Sequence, residues 1–478
     1  MHVHLIGVCG TGMGALACLL REAGHRVTGS DTAFHPPVAP ALALAGVETK
    51  PGWDPANLEP APDLVVVGNV CRKDNPEARS AIERGLRYAS FPAVLEALFL
   101  KDRPSFVVAG THGKTTTASL LAYLLFRVGR DPGMLIGGLP GNFDASARLG
   151  GARAPFVVEG DEYDSAFFEK TPKFWRYRPW AVAITSVEHD HVDIYPTAEA
   201  YRAAFAELVR RIPDDGLLVG WAGDPTVREL AAGARCRVRL YAVDGDDCGG
   251  ESPVWLAALG PTTGGTTAFD VFGAGTFCGR GVLPGAGRHN VRNALAALAL
   301  ASEGVGAPVG HLLDVLGGFK GVRRRQELIG VADGVRVYDD FAHHPTAVAE
   351  TLRGLRALHP HGKLIAAFEP RSATASRATH QAQYAGAFRA ADHVLVAPVG
   401  RPEIRADERL DVHALADAIV AAGGRAEAPA SVDALVARIA ELADPGDTVV
   451  LMSNGTFGGA HAAALEALAA RPPRPPSR

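Results

Sequence analysis

Residues 109–117, Ala109-Gly110-Thr111-His112-Gly113-Lys114-Thr115-Thr116-Thr117, join an apolar run to a segment of helix-forming composition. The apolar run, residues 106–108, predicts a buried strand. A strand, a glycine turn and a helix start together direct backbone N–H groups at phosphate oxygens. Lys114 would reach the β- and γ-phosphates and Thr115 would bind Mg²⁺. The general pattern asks for glycine where this chain has Val108, and a helix-capping turn without a ligand is the alternative. The stretch predicts ATP binding.

Length and composition are typical of a globular chain with several domains. A chain of 478 residues suggests about three domains, and its 47% hydrophobic and 21% charged residues are ordinary proportions. The net charge of −4 gives no support to a nucleic-acid partner. We find no signal peptide, no membrane-spanning run and no paired spacing among the six cysteines. We therefore expect a cytoplasmic protein with no nucleic-acid or membrane partner; the oligomeric state stays open.

Apolar strand-like runs alternate with helical stretches, which predicts an α/β fold with parallel sheets. Three blocks, residues 1–103, 104–319 and 320–470, precede a proline-rich tail over 471–478 that we expect to be disordered. Strands are expected at 2–7, 64–67, 106–109, 156–158, 181–184, 335–338, 364–368, 393–397 and 448–452, and a helix at 288–301. The Gly- and Thr-rich residues 215–285 predict a β-rich region.

A second glycine-rich loop follows the first strand of the chain. Gly7, Gly10, Gly12 and Gly14 join this strand to the first helix, and Asp31 ends the next strand. Glycines permit close approach of a pyrophosphate, and an acid so placed meets a ribose hydroxyl. The spacing differs from that of a strict dinucleotide motif. It predicts a nucleotide-diphosphate pocket, with a nicotinamide-dependent dehydrogenase as the alternative.

Acidic and histidine residues follow two strands of the second block. Glu159 comes directly after residues 156–158, where a Mg²⁺ ligand belongs beside a phosphate loop. Residues 188–193, Glu-His-Asp-His-Val-Asp, follow the 181–184 strand and offer ligands for a divalent ion. A solvated acidic loop and surface histidines are the alternatives for these two segments.

Further candidates lie in the helix at 288–301 and in the third block. Asn290 and Asn293 share one face at the helix start, where they either hydrogen-bond an adenine edge or cap the helix. The run 323–325 is three arginines at the junction of two blocks, where a guanidinium can reach a phosphate. Residues 339–345 and 369–372 follow strands of the third sheet, and a second substrate would meet the phosphate site there.

These motifs, in this order and across essentially the whole chain, resemble the Mur ligase family of cell-wall peptide synthetases. The loop Gly110-Thr111-His112-Gly113-Lys114-Thr115 matches the family's shortened phosphate loop, which accounts for Val108. The resemblance implies an N-terminal Rossmann-like UDP-sugar domain, a central P-loop ATPase and a C-terminal Rossmann-like domain that brings the amine substrate. The position of a carbamoylated lysine in some relatives holds Phe205, so we expect no dependence on that modification.

Within the family, the glycine-rich start and Ser30-Asp31 resemble the branch that uses UDP-N-acetylmuramate itself. Residues 136–143, 159–168, 341–346, 369–372 and 452–459 resemble the members whose acceptor is L-alanyl-γ-D-glutamyl-meso-diaminopimelate. The implied reaction is ATP- and Mg²⁺-dependent amide formation through an acyl phosphate, in peptidoglycan recycling. Ligation of L-alanine instead of the tripeptide is the alternative.

The resemblance also implies roles for individual residues. Lys114, Glu159, His191 and Arg325 would be catalytic, with Thr115, Glu159 and His191 as metal ligands. The remaining sets are as follows: for ATP, Gly110, Thr111, His112, Gly113, Lys114, Thr115, Thr116, His289, Asn290, Asn293, Arg325 and Asp340; for the UDP-sugar, Gly10, Thr11, Gly12, Ser30, Asp31 and Asn142; for the peptide, His343, Arg371 and Ser372. A nucleotide-binding scaffold without catalysis is disfavoured because the catalytic set is complete.

Overall fold

The structure is a computed structural model, and it describes residues 1–401 and 403–471. Residues 472–478 of the predicted disordered tail lie outside that range. The described residues form three large sheets that follow one another along the chain, plus one small hairpin. None of the helices in this part of the chain has the length and apolarity that crossing a bilayer requires. All six cysteines are free thiols.

The first sheet has five parallel strands in the order β3-β2-β1-β4-β5. Its elements are β1 (His2–Ile6), α1 (Thr11–Glu22), β2 (Arg26–Asp31), α2 (Val38–Leu44), β3 (Glu48–Pro51), β4 (Leu64–Val67), α3 (Pro76–Glu83), β5 (Tyr88–Ser90) and α4 (Phe91–Leu95). The glycine loop lies between β1 and α1, at the carboxyl edge of the sheet. This is the edge at which doubly wound sheets bind ligands.

The second sheet has ten strands, and β6, which carries the phosphate loop, lies inside it between β12 and β9. Its strands are β6 (Ser105–Ala109), β7 (Gly133–Leu135), β8 (Ala147–Arg148), β9 (Phe156–Glu159), β12 (Pro179–Ile184), β13 (Leu217–Trp221), β14 (Arg237–Val243), β15 (Trp255–Thr263), β16 (Thr266–Gly273) and β17 (Thr276–Pro284). The separate hairpin is β10 (Asp164–Ala166) with β11 (Glu169–Pro172). The helices are α5 (Lys114–Arg127), α6 (Ala198–Arg210), α7 (Pro225–Ala232), α8 (Arg288–Val305) and α9 (Val309–Leu316).

The β-rich expectation for residues 215–285 is confirmed, with the short helix α7 interrupting the strands. In this region β15, β16 and β17 pair antiparallel and extend the otherwise mainly parallel sheet. On the other side of β12, β6 pairs parallel with both of its neighbours, and Val108 lies opposite Glu159 in register. The three carboxyl ends therefore meet at one edge, where the acidic segments lie beside the phosphate loop.

The third sheet has the order β18-β19-β23-β20-β21-β22, with only β18 antiparallel to its neighbour. Its elements are β18 (Glu327–Ala332), β19 (Val335–Asp340), α10 (Pro345–Leu358), β20 (Leu364–Phe368), α11 (Gln381–Ala387), β21 (His393–Val396), α12 (Val412–Ala421), β22 (Ala426–Glu427), α13 (Val432–Leu442), β23 (Thr448–Met452) and α14 (Ala460–Ala469). Short turns of other helix types occur at Pro55–Leu58, Glu96–Leu100, Lys173–Arg176, Ala378–His380 and Phe457–Gly459.

Apolar cores cover both faces of the third sheet and of the central part of the second sheet. The strands of both sheets are buried on both faces, which is the condition that parallel sheets need. Their polar residues are concentrated at the carboxyl ends: Asp340, for example, lies next to Met452 in register, and Ser453 follows directly. The two rigid sheets thus present their polar edges to a common cleft.

Candidate active site

The phosphate loop is a tight turn between β6 and α5. Gly113 has φ of +79°, and a Cβ there would lie 2.4 Å from the Asn293 Oδ1 atom, so only glycine fits this position. Lys114 is the first residue of α5. Its Nζ donates to the carbonyl oxygens of Gly110 at 2.5 Å and Thr111 at 3.3 Å. The ammonium therefore lies over the loop, at the N-terminus of a 14-residue helix whose dipole favours bound anions.

Two carboxylates face this loop: Glu159 is the last residue of β9, and Glu162 lies in the segment that follows. The Thr115 hydroxyl donates to Glu159 Oε1 at 2.8 Å, and the Gly137 N–H donates to Glu159 Oε2 at 2.6 Å. Lys114 Nζ pairs with Glu162 Oε1 at 3.1 Å, and His191 Nε2 lies 3.0 Å from the same oxygen. We expected His191 to share a metal ion with Glu159, whereas its hydrogen-bond partner in the structure is Glu162.

Glu162 is the residue of this site that the sequence analysis did not assign. Its side chain is 1% exposed and also accepts a hydrogen bond from the Tyr201 hydroxyl at 3.2 Å. Burial opposes ionisation of this carboxyl, but Lys114 and His191 hold its pKa at about 2. Its second oxygen, Oε2, is buried and has no hydrogen-bond partner. In the sequence, Glu162 is distinguishable only as one of three acidic residues within 159–162.

The oxygen-donor set beside Lys114 fits a magnesium ion. Thr115 Oγ1 and a Glu159 oxygen lie within hydrogen-bond distance, and the free Oε2 of Glu162 is a further buried oxygen nearby in the network. Mg²⁺ prefers hydroxyl and carboxylate oxygens together with phosphate oxygens and water. The observation that tests the fit is the unpartnered Glu162 oxygen, because a buried carboxylate oxygen ordinarily has a donor or a cation beside it.

Arg325 connects the third sheet to the phosphate loop. Its guanidinium donates from Nη2 to Thr115 Oγ1 at 3.1 Å and stacks on the Phe341 ring, with Cζ 4.6 Å from the ring centroid. The two neighbouring arginines make contacts elsewhere. Arg323 pairs with Glu327 at the surface, and Arg324 donates to the Ser453 and Gly455 carbonyl oxygens. Of the three, Arg325 is the one placed to touch a phosphate.

A cavity of about 380 Å³ opens beside the loop and is lined by residues of both sheets. The predicted ATP residues on its wall are His112, Gly113, Thr115, Thr116, His289, Asn290, Asn293, Arg325 and Asp340. Trp221, Tyr241 and Arg292, which sequence analysis did not single out, line it as well. Arg292 stacks on Trp221 at 4.3 Å and pairs with Asp246 at 2.5 Å. The cavity thus combines an aromatic wall with convergent polar groups, as nucleotide pockets do.

Two of the predicted nucleotide residues also hold protein contacts. Asn290 Nδ2 donates to the Ala286 carbonyl oxygen at 2.8 Å, which leaves its Oδ1 to the cavity. Asp340 accepts from the Gln326 N–H at 2.7 Å and from the Ala342 N–H at 2.8 Å. Burial raises the pKa of Asp340 although Arg325 acts against that rise. The carboxylate therefore fixes the start of the third sheet as well as facing the cavity.

In the N-terminal domain the predicted UDP-sugar residues divide into two groups. Gly10 and Thr11 are exposed at the mouth of the loop, and Asp31 accepts from the Cys9 N–H at 2.8 Å, which holds the loop in place. A Cβ at Gly12 would lie 3.5 Å from the Phe91 ring. The Ser30 side chain, by contrast, is fully buried and donates to Glu77 Oε2 at 2.6 Å. Ser30 therefore supports the strand from inside rather than presenting its hydroxyl at the loop.

Asn142, the remaining UDP-sugar prediction, lies at the junction of the second and third sheets. Its Nδ2 donates to the Gly318 carbonyl oxygen at 2.9 Å, and its Oδ1 accepts from the Lys320 N–H at 2.8 Å. Phe205 is fully buried against Phe174 and Tyr201, with ring centroids 5.4 and 5.2 Å apart. Phe205, at which the sequence analysis expects no lysine modification, thus belongs to an apolar aromatic cluster.

The three predicted peptide residues lie at the carboxyl edge of the third sheet. His343 Nε2 is 3.9 Å from Asp190 Oδ2 across the cleft, and burial lowers the pKa of this histidine. Arg371 pairs with Glu369 at 3.5 Å and is 43% exposed, so its charge is open to a ligand. Ser372 is buried, and its hydroxyl accepts from the Ala375 N–H at 3.0 Å. Arg371 is thus accessible, whereas His343 is largely enclosed at the cleft and the Ser372 side chain stabilises the turn.

Each of the three domains matches a known protein family domain. The Mur ligase family catalytic domain matches residues 2–103, the Mur ligase middle domain 108–301, and the Mur ligase glutamate ligase domain 324–455. The UDP-N-acetylmuramate–L-alanyl-γ-D-glutamyl-meso-2,6-diaminoheptandioate ligase of Escherichia coli (strain K12) is 39% identical over 98% of both chains. The chain belongs to the Mur ligase family. The predicted family and the predicted three-domain α/β fold are confirmed.

Other relatives of this Mur ligase include both acceptor types. The crystal structure of a murein peptide ligase from Psychrobacter arcticus 273-4 is 36% identical, with a TM-score of 0.73 and coverage of 98% of this chain and 99% of that one. The UDP-N-acetylmuramate–L-alanine ligase of Kineococcus radiotolerans is 41% identical but covers 89% of this chain and 87% of its own. L-alanine ligases also align over nearly the whole chain: that of Roseiflexus sp. (strain RS-1) is 36% identical over 95% of this chain and 96% of its own. The prediction of an ATP-dependent ligase forming a C–N bond is confirmed.

Proposed function

We propose that this Mur ligase joins L-alanyl-γ-D-glutamyl-meso-diaminopimelate to UDP-N-acetylmuramate at the expense of ATP. Residues 1–103 would bind the UDP-sugar, residues 104–319 ATP and residues 320–470 the peptide. One observation carries the proposal: Arg325, from the third domain, reaches Thr115 in the phosphate loop of the second. An acceptor domain that contributes a cation to the phosphate site brings the amine to the place where the activated carboxyl forms.

The phosphate chemistry is assigned to the groups around Lys114. Lys114, Thr115 and Arg325 would hold the β- and γ-phosphates, and Asn290, Asn293 and Asp340 would hold the nucleoside. Bound Mg²⁺, held by Thr115 and Glu159 with His191 near a second ion, would neutralise charge on the transferring phosphate. Lys114 already has a neutralising partner in Glu162 at 3.1 Å. When ATP binds, the phosphate oxygens would take over that role.

The proposed reaction consists of two successive displacements. A lactyl carboxylate oxygen of UDP-N-acetylmuramate attacks the γ-phosphorus, ADP leaves, and an acyl phosphate forms. The peptide α-amine, having lost a proton, then attacks the acyl carbon, phosphate leaves and the amide remains. Contacts across the cleft would keep water from the acyl phosphate. Arg371 is our choice for a peptide carboxylate, since a guanidinium binds carboxylates through two hydrogen bonds.

The UDP-sugar would bind at the first glycine loop through Gly10, Thr11, Gly12 and Asp31. Its lactyl carboxylate must then reach from the N-terminal sheet to the phosphate loop. Asn142, which holds residues 318 and 320, would act by fixing the junction between the second and third domains. Ser30 would act through Glu77 from the interior of the domain.

The deciding experiment measures phosphate release with UDP-N-acetylmuramate and ATP, comparing the tripeptide with L-alanine as acceptor. We expect the tripeptide to give the higher kcat/KM and the product to be the UDP-muramoyl tripeptide. Preference for L-alanine would refute the acceptor assignment and leave the ligase assignment intact. Absence of phosphate release with either acceptor would refute the proposed reaction as a whole.

A further inference from the structure

A histidine–carboxylate cluster lies beside the same cavity and contains none of the magnesium ligands named above. It consists of His112 in the phosphate loop, Glu188 in the segment after β12, and His344 at the start of α10. One ligand atom from each of the three lies within 4.8 Å of the others. His112 and Glu188 belong to the second domain and His344 to the third, so the cluster bridges the cleft.

The two distances from the histidines to the carboxylate are close to those of a tetrahedral metal site. His112 Nε2 is 3.5 Å from Glu188 Oε2, and His344 Nδ1 is 3.6 Å from the same oxygen. Ligands about 2.0–2.1 Å from a tetrahedral zinc ion are separated from one another by about 3.3 Å. Both distances to Glu188 are therefore within a few tenths of an ångström of that separation, and the two histidine nitrogens lie within 4.8 Å of each other. The contacts themselves are too long to be good hydrogen bonds.

The histidine nitrogens of the cluster lack strong partners within the protein. The His344 side chain is 5% exposed and its Nε2 is buried without a hydrogen bond, as is His112 Nε2. His344 Nδ1 accepts only a long contact, 3.4 Å, from the Thr346 N–H. Burial, together with the neighbouring His112, lowers the pKa of His344 to about 3, so the imidazole is neutral and one of its ring nitrogens can coordinate an ion.

A hydrogen bond from α10 orients the Glu188 carboxylate of the cluster. The Thr346 hydroxyl donates to Glu188 Oε2 at 2.6 Å, and this residue lies in the same helix, α10, that begins beside His344. Metal-binding side chains are commonly held by such outer hydrogen bonds, which fix the direction of the ligand atom. Two imidazoles and one carboxylate form a donor set suited to Zn²⁺ and related transition-metal ions rather than to Mg²⁺.

We propose that His112, Glu188 and His344 form a binding site for a divalent transition-metal ion, best suited to Zn²⁺, that joins the central domain to the C-terminal domain. The site differs from the magnesium site in its donors, which are mainly nitrogen, and in spanning both walls of the cleft. An ion bound there would stabilise the arrangement in which Arg325 touches the phosphate loop. Water or a substrate oxygen would complete the fourth position.

The test is calorimetric titration of chelator-stripped, full-length protein with Zn²⁺ while Mg²⁺ is kept in excess. We expect one Zn²⁺ per chain. His344→Ala and Glu188→Gln should each weaken binding by at least about tenfold, the lower limit for losing even an outer-shell partner of a metal. His413→Ala removes an exposed histidine elsewhere in the third domain and should bind as the parent does. Co²⁺ in place of Zn²⁺ should give the visible absorption of a tetrahedral site.

Three results would overturn the proposal: no Zn²⁺ bound by the parent protein, equal affinity in all variants, or loss of binding in Glu159→Gln alone. The last result would place the ion in the magnesium site. Circular dichroism checks that each variant is folded. Glu188→Gln keeps the shape of the side chain and can still accept a hydrogen bond from the Thr346 hydroxyl. This variant therefore tests the metal site even if His344→Ala does not fold.

Discussion

The three consecutive arginines at 323–325 offer a matched test of the closed site. Arg325→Ala removes a guanidinium that touches Thr115 Oγ1 at 3.1 Å and would face the transferring phosphate. Loss of one preorganised donor at a developing charge costs about 2.7–4 kcal/mol, or about 10²–10³ in kcat. Contributions of an arginine to phosphoryl transfer can be larger still. We therefore expect kcat for phosphate release to fall by at least about a hundredfold, with a smaller change in the KM for ATP.

The neighbouring residue supplies the control. Arg323 has a side chain 66% exposed and pairs with Glu327 at 3.0 Å, an arrangement worth about 0–1 kcal/mol. Arg323→Ala should keep the parental kcat, although the charge and the chain position are almost the same. Arg325→Lys keeps the charge but loses the planar stacking on Phe341, so its kcat should lie between those of the parent and Arg325→Ala.

The assay follows phosphate release at saturating UDP-N-acetylmuramate and tripeptide, with ATP varied. A kcat for Arg325→Ala within about threefold of the parent would correspond to less than about 0.7 kcal/mol of barrier and would refute the assignment. An equal fall in Arg323→Ala would also refute it, because the effect would then follow the charge of the run and not the contact with Thr115.

Three further predictions concern single residues. Lys114→Ala should abolish turnover, a loss of several kcal/mol of transition-state charge stabilisation, and near-parental phosphate release would contradict the mechanism. Arg371→Ala should raise the KM for the tripeptide much more than the KM for ATP in steady-state kinetics, whereas an unchanged tripeptide KM would remove this residue from the acceptor site. Glu77→Gln should lower the melting temperature near pH 7. The difference from the parent should shrink as pH falls below the ordinary pKa of a glutamate, about 4.3. In the control variant Glu83→Gln, the replaced side chain is 66% exposed, and the protein should melt as the parent does. A deficit that stays constant with pH would contradict the role given to the Glu77 charge.

The sign of the Glu77 prediction follows from its surroundings. Burial raises the pKa of this carboxyl, but hydrogen bonds from His4, Ser30 and Asn57 and from the Asp54 N–H more than offset that effect, so the folded-state pKa is lowered. A lowered carboxyl pKa stabilises the fold above the unfolded-state pKa, and this stabilisation is lost as pH falls through the folded-state pKa. The glutamine variant lacks this charge at every pH.

Much of the architecture was predictable because its signals are local. The apolar run before Gly110, the glycine turn and the helix after it are contiguous, and each part favours the same structure. Parallel strands bury both faces, so runs such as residues 364–368 are recognisable as strands without knowledge of their partners. The order of the three blocks along the chain then follows directly from the sequence.

The individual side chains were harder to predict because their surroundings are distant in sequence. Ser30 and Asp31 are adjacent, but side chains alternate along a strand, so Ser30 points inward to Glu77, 47 residues away, while Asp31 meets the glycine loop. Glu162 becomes a fully buried partner of Lys114 only when Tyr201 and His191, from later segments, close over it. No local pattern contains that information.

The contacts around Lys114 show why such a concentration of charge is compatible with a stable fold. Lys114 and His191 converge on one buried oxygen of Glu162, so the Lys114 ammonium and the Glu162 carboxylate neutralise each other and His191 adds a hydrogen bond. An unpaired buried charge would cost several kcal/mol, whereas the paired set avoids most of that cost. In the proposed reaction ATP would bring anionic oxygens to Lys114, and the unpartnered Oε2 of Glu162 would then be available to a metal ion. Glu162, which pairs with Lys114, would thus add an oxygen to the ion that Thr115 and Glu159 are proposed to hold, and this contact would link nucleotide binding to metal binding.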